Sequence, residues 1–171
     1  TFKPVKAETM DEHDMHAEWI DLSIETIRQL MLHEGPIIPV GTTSLRTTES
    51  LYWMGVMAIN DPGTGNLSLS QWDAYTMEKK STDIGKRQAL EGLLQWMIQN
   101  KKERLFTQTQ ILIAPGYSFK MAFALVTNFH QPASTLLLLV AAAIGNDWKK
   151  IYNYALENGF RFLSYGDANL L

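Results

Sequence analysis

Apolar and polar positions change their spacing several times along the chain, and each change predicts an element. The opening stretches "TFKPVKAETM" and "MHAEWIDL" alternate loosely and predict two short strands around a charged turn at Glu8–Asp14. From Ser23 the period lengthens. Ile24, Ile27, Leu30 and Met31 share one helical face, Ser23 suits the N-cap, and Gly35-Pro36 reads as the stop. Ile37–Val40 reads as a buried strand, and Gly41-Thr42-Thr43-Ser44 as a turn into a helix reaching about Ile59. "NDPGTGN" is a loop by composition, "LSLSQW" alternates like a strand, and Thr82–Asn100 carries Leu90, Leu93, Leu94 and Met97 at helical spacing. Ile111–Ala114 and Ala122–Thr127 are further strand candidates on either side of the turn "PGYS". A buried helix through "STLLLLVAAAIG" ends at Gly145, Asp147 caps another helix as far as Asn158, Gly159 stops it, and "FRFL" predicts a last strand. Short apolar strands interleaved with helices give an α/β fold, here a single domain over residues 1–171.

Composition narrows the class. A chain of 171 residues with 46% hydrophobic and 19% charged positions is globular and long enough for a core. Its lack of Cys excludes disulfides, thiolate nucleophiles and Cys-based zinc sites, and fits a cytoplasmic protein. The net charge of −3 provides no general pull on phosphate backbones. The apolar run Leu136–Ile144 is about half of the ~20 residues that cross a bilayer, so no membrane anchor is expected. Thr1–Lys6 does not resemble a secretory signal, and the chain, which does not begin with Met, reads as a piece of something longer.

Four places hold candidate chemistry. "VGTTSLR" sets Thr42, Thr43 and Ser44 at a helix start, where backbone N–H groups and the positive helix end favour an anion, with Arg46 near enough to clamp it. The plain alternative is a cap with a solvated arginine. "HDMHAEW" holds His13, His16 and Glu18; on a strand His16 and Glu18 share a face, which suits a polar pair lining a pocket, or a metal site if a turn and further ligands joined them. "TNFHQPAST" puts Asn128 and His130 beyond a strand's carboxyl end, where open α/β sheets bind ligands, with Ser134 or Thr135 capping the next helix. "FLSYGDANLL" offers Tyr165, Gly166 and Asp167, either an acceptor or base or a terminal Asx turn.

"TFKPV", "MHAEW", "VGTTSLRTTES", "PGYSFK", "LVTNFHQPASTLLLLVAAAIG" and "FRFLSYGDANLL" stand in the order found in the S-adenosylmethionine:tRNA ribosyltransferase-isomerase family of queuosine biosynthesis, which the chain resembles in its C-terminal half. The resemblance implies a mixed α/β domain lacking the β-barrel domain inserted upstream in the full-length form. It also implies an enzyme that moves the ribosyl group of S-adenosylmethionine onto 7-aminomethyl-7-deazaguanine at the tRNA wobble position, giving epoxyqueuosine. S-adenosylmethionine is then co-substrate, and no other cofactor and no metal is needed. The acidic balance supplies few phosphate contacts, so tRNA is expected to be held mainly by the full-length protein and this fragment alone to be inactive. Matched to that chemistry, His130 or Asp167 handles protons, and Thr42, Thr43 and Ser44 with Arg46 hold an anionic group. His16, Glu18, Asn128, Ser134, Thr135 and Gly166 line the pocket, and Tyr117, Phe129 and Tyr165 stack on a base. Ala114 stands where the family has Tyr, "KMAFAL" where it has an acid, Gln131 where it has Leu and "AAA" where it has Ser-Ala-Phe; residues 60–104 read as an insertion atypical of the family. Two competing expectations follow: a non-catalytic tRNA- or nucleotide-binding relative, and a metal-dependent hydrolase using His13, His16, Glu18 and His130. Nothing in the sequence sets the oligomeric state.

Overall fold

The computed structural model describes residues 15–80, 84–132 and 134–171; the expected strand at "TFKPV", the turn at Glu8–Asp14 and His13 lie outside them. Among the described residues the regular elements run β1 (Glu18–Ser23), α1 (Ile24–Leu32), α2 (Thr42–Asn60), α3 (Asp73–Lys80), α4 (Lys86–Gln99), β2 (Arg104–Thr109), β3 (Val126–Asn128), α5 (Thr135–Ile144), α6 (Trp148–Glu157) and β4 (Ala168–Leu170), with a 3-10 turn at Gly145–Asp147. They gather into two compact units, one holding Pro36–Leu45 and Leu112–Leu171, the other Met15–Gly35 and Arg46–Ile111. Helix α2 begins in the first and continues in the second.

In the second unit β1 and β2 pair antiparallel, Glu18 opposite Thr109 and Ser23 opposite Arg104. The pleat turns Ile20, Leu105, Thr107 and Thr109 inward and leaves Trp19 and Phe106 outside, their rings stacked with centroids 4.7 Å apart. Ser23 is the N-cap of α1, its Oγ accepting from the Thr26 N–H at 3.1 Å. The helix stops at Leu32, before Gly35-Pro36, with His33 as an extended C-cap. Helices α2 and α4 meet at two glycines: a Cβ on Gly55 would lie 2.0 Å from the Ala89 carbonyl oxygen, and one on Gly92 2.5 Å from Ile59 Cγ1. That close approach closes a core of Leu51, Trp53, Met54, Leu90, Leu93 and Met97, each burial contributing about 1.5–3 kcal/mol. Leu67 and Leu69 are buried as their alternation predicts, but "LSLSQW" forms a single bridge, Leu69 to Thr109, and no longer strand.

Ile111–Ala114 is buried as expected, yet it is no strand. The Ile111 N–H is spent on Thr109 Oγ1 at 3.1 Å and its carbonyl on Arg46, so no ladder can continue; the strand lies earlier, at Arg104–Thr109.

In the first unit β3 pairs antiparallel with β4, and Val40 bridges β3 in parallel at Val126. The expected buried strand at Ile37–Val40 is corrected by this geometry: Ile38 is 44% and Val40 69% exposed. Pro36 and Pro39 have no N–H to give a ladder, and the segment is held through the Ile37 and Pro39 carbonyls and the Gly41 N–H. Helix α5 starts where Ser134 Oγ accepts from Leu137 N–H, and ends at Gly145, whose φ of 59° suits glycine. Only Leu139 and Val140 of α5 are buried, so it is a half-buried helix and not the interior one expected; within its unit it packs along one side, against α6 and the 3-10 turn. Asp147 precedes α6 without capping it, its carboxylate turned to Lys150 at 2.7 Å. "FRFL" is not a strand either. Leu163 has φ of 70°, Phe160 and Phe162 pack on Phe129, and the closing strand comes at Ala168–Leu170.

Candidate functional site

Two polar clusters contain seven of the residues singled out above, His16, Glu18 and Arg46 in one and Asn128, His130, Gly166 and Asp167 in the other. In the second unit, β1 carries Glu18 toward α2, where Arg46 is only 2% exposed. Arg46 Nη1 lies 2.6 Å from Glu18 Oε1, and Nε donates to the Ile111 carbonyl at 3.0 Å. His16 Nε2 stands 3.6 Å from the same Glu18 oxygen at the exposed rim. Burial draws the Arg46 pKa below the ordinary arginine value, and the charge and hydrogen bond of Glu18 oppose that drop without cancelling it. Beside the pair, Ser50 and Thr109 share a 2.7 Å hydroxyl contact. The second unit therefore keeps a polar seam inside an otherwise apolar packing.

In the first unit a loop cluster follows β3. His130 is 8% exposed, with Nε2 2.9 Å from Thr127 Oγ1 and its N–H donating to Tyr152 Oη at 3.0 Å. Desolvation lowers its pKa from 6.5 to about 4, so the imidazole is neutral at physiological pH. Asn128 Nδ2 donates to the carbonyls of Gly166 and Asp167 at 3.5 and 3.4 Å, tying the end of β3 to the turn before β4. The Asp167 carboxylate accepts the Arg161 backbone N–H at 2.7 Å and pairs with its guanidinium at 3.2 Å, which together hold it below the usual aspartate pKa. Gly166 is required there, since a Cβ would fall 2.2 Å from the Arg161 carbonyl oxygen.

The aromatic candidates separate by environment. Phe129 is buried in a cluster with Tyr152, Phe160 and Phe162, and Tyr117 is buried against Phe119. Tyr165 is 97% exposed. Thr42, Thr43 and Ser44 form the first turn of α2, and Arg46 follows two residues after Ser44 on the same helix. Ser134 caps α5 and also donates to the Gln131 carbonyl, with Thr135 as the first helical residue. Among the described residues no three His, Asp or Glu side chains are grouped to hold a metal ion, and no helix is long and apolar enough to cross a membrane. Sequence reasoning missed the partners: Arg161 for Asp167, Thr127 and Tyr152 for His130, and Glu18 for Arg46. Only the last had a visible signal, an acid at an inward-facing strand position that a buried cation would neutralise.

A family model described as queuosine biosynthesis protein matches residues 1–171. The chain belongs to this family. Along its full length it is 37% identical to the S-adenosylmethionine:tRNA ribosyltransferase-isomerase of Ruegeria pomeroyi and 35% identical to that of Dichelobacter nodosus. It spans about 37% of the length of each of these two relatives. A crystal structure of S-adenosylmethionine tRNA ribosyltransferase from Thermotoga maritima matches 89% of the chain with 39% of its own, at 29% identity and a TM-score of 0.54. The queuosine biosynthesis family thus carries the mixed α/β fold that the ordered motifs imply.

Proposed function

We propose that the chain is the C-terminal α/β part of an S-adenosylmethionine:tRNA ribosyltransferase-isomerase, acting in the cytoplasm. The match of the family model to residues 1–171 carries this reading. The reaction moves the ribosyl group to 7-aminomethyl-7-deazaguanine of tRNA, forms epoxyqueuosine, and releases adenine and methionine. The cationic sulfur acidifies the adjacent ribose carbon; loss of that proton to a base opens the ring with departure of adenine, the aminomethyl nitrogen bonds to the opened ribosyl chain, and an alkoxide closes the epoxide as methionine leaves. His130 and Asp167 are the proposed proton-handling groups; both stand in their proton-accepting forms at neutral pH. Thr42, Thr43 and Ser44 at the positive end of α2 suit the methionine carboxylate, and exposed Tyr165 suits stacking on a base. With a net charge of −3, this chain leaves most tRNA phosphate contacts to other parts of the full-length protein.

The test is adenine release when the full-length protein is incubated with S-adenosylmethionine and tRNA bearing the deazaguanine precursor. We expect turnover, abolished or cut by about 100-fold or more in Asp167→Asn or His130→Gln. Absence of adenine above background refutes the activity. A non-catalytic tRNA-binding relative is the second reading, favoured by apolar Met121–Phe123 where the family pattern has an acid; tRNA binding without turnover would support it.

A further inference from the structure

The ion pair between β1 and α2 is incompletely satisfied. Glu18 Oε2 and Arg46 Nη2 are both shut off from solvent and have no hydrogen-bond partner among the described residues. The other polar atoms are well used: Nη1 on Oε1 at 2.6 Å, and Nε on the Ile111 carbonyl at 3.0 Å. An orphaned acceptor and an orphaned donor thus sit on two groups whose charges already cancel. Buried polar groups are normally bonded, and a guanidinium N–H or a carboxylate oxygen left alone is costly.

The charge balance selects what can bind. An anion would meet the Glu18 carboxylate while the Arg46 charge is already matched, and a cation would meet the reverse. A neutral group presenting a donor beside an acceptor answers both atoms at once. We infer that Glu18 and Arg46 read the edge of a neutral nitrogen heterocycle. Glu18 Oε2 accepts from an amino or ring N–H, and Arg46 Nη2 donates to the neighbouring ring nitrogen or carbonyl oxygen. His16, 54% exposed and 3.6 Å from Glu18 Oε1, is the side chain a base would displace to reach the two shut-off atoms. The pair therefore lies one side chain below the surface, with His16 as its rim.

Adenine has such an edge, an amino donor beside a ring nitrogen. So does 7-deazaguanine, a ring N–H beside a carbonyl oxygen. The choice of these two probes rests on the proposed function; the donor–acceptor demand does not. Equilibrium binding to the full-length protein is measured with adenine, 7-deazaguanine and purine, each as its riboside so that no imidazole-ring N–H remains (purine riboside then has no base donor), and with inorganic phosphate and acetate. One of the two bases is expected to bind, and which one does identifies the substrate whose base is read. Its affinity should fall about 10- to 100-fold in Glu18→Gln and in Arg46→Lys. In the adenine case purine should bind the unaltered protein more weakly by a similar factor, which needs no folded variant. Binding of neither base, equal binding of purine and adenine, or phosphate or acetate binding that depends on Arg46 overturns the inference. So does a crystal structure in which an ordered water bridges the two atoms and stays when the base is soaked in. Adenine release in the activity assay without base binding sinks this inference alone, whereas base binding without turnover sinks the proposed activity alone.

Discussion

Acidification from pH 7 to pH 4 should weaken the fold through His130. The side chain is 8% exposed, and its Nε2 is occupied by Thr127 Oγ1 at 2.9 Å. Burial lowers its pKa from 6.5 to about 4. The folded value lies below the unfolded one, so the unfolded chain takes up the proton first. The stability linked to this residue is complete above about pH 6.5, falls as the pH drops, and is lost below about pH 4. A drop of that size corresponds to about 3 kcal/mol, a large share of the stability of an ordinary domain. His130→Gln removes the titration and keeps an amide within reach of Thr127. Urea unfolding of both proteins at intervals from pH 7 to pH 4 isolates the effect, because groups common to both, including Asp167 with its lowered pKa, cancel in the difference. The stability of the unaltered protein relative to the variant should fall by about 3 kcal/mol across that range. A difference constant to within ~0.5 kcal/mol, or an imidazole titrating near 6.5 by nuclear magnetic resonance, would refute the reasoning.

Two further outcomes concern packing in the second unit. Arg46→Met strands the Glu18 carboxylate and should cost about 3 kcal/mol in urea unfolding, while Glu18→Leu with Arg46→Met recovers most of the loss; equal costs for single and double variants would show that the pair is not coupled. Gly55→Ala puts a methyl 2.0 Å from the Ala89 carbonyl oxygen and must part α2 from α4. A loss of about 1–3 kcal/mol and a melting point lower by roughly 5 °C should follow, and an unchanged melting point would contradict that close approach.

What was legible in the sequence was local. Ser23 and Ser134 cap the helices their position predicts, and Gly145 and Gly159 take positive φ where the helices end. Leu90, Leu93, Leu94 and Met97 share a buried face because their spacing follows the helical period. Apolar runs misled wherever backbone hydrogen bonds decided the outcome. Ile37–Val40 is interrupted by prolines, Ile111 gives its polar groups to side chains, and Leu163 adopts a left-handed turn. Strand β2 was overlooked because Thr107 and Thr109, both buried, occupy the inward positions where apolar residues would have revealed it. Asp167, His130, Asn128, Glu18 and Arg46 could be picked out by residue type and motif order. Apart from Glu18 for Arg46, their partners could not, because Arg46 and Ile111, or Asn128 and Asp167, meet only through the tertiary fold.

Pairing between β1 and β2 also has a consequence for synthesis. Ser23 and Arg104 are partners at one end of the ladder, so about eighty residues must leave the ribosome after the first strand before its neighbour exists. At ~5–20 residues per second that delay is roughly 4–16 s, and the loop-closure cost must be met before the ladder gains anything. For that interval Ile20 and Leu22 lack the surface they will eventually face. A strand left unpaired for that long is exposed to pairing with other chains.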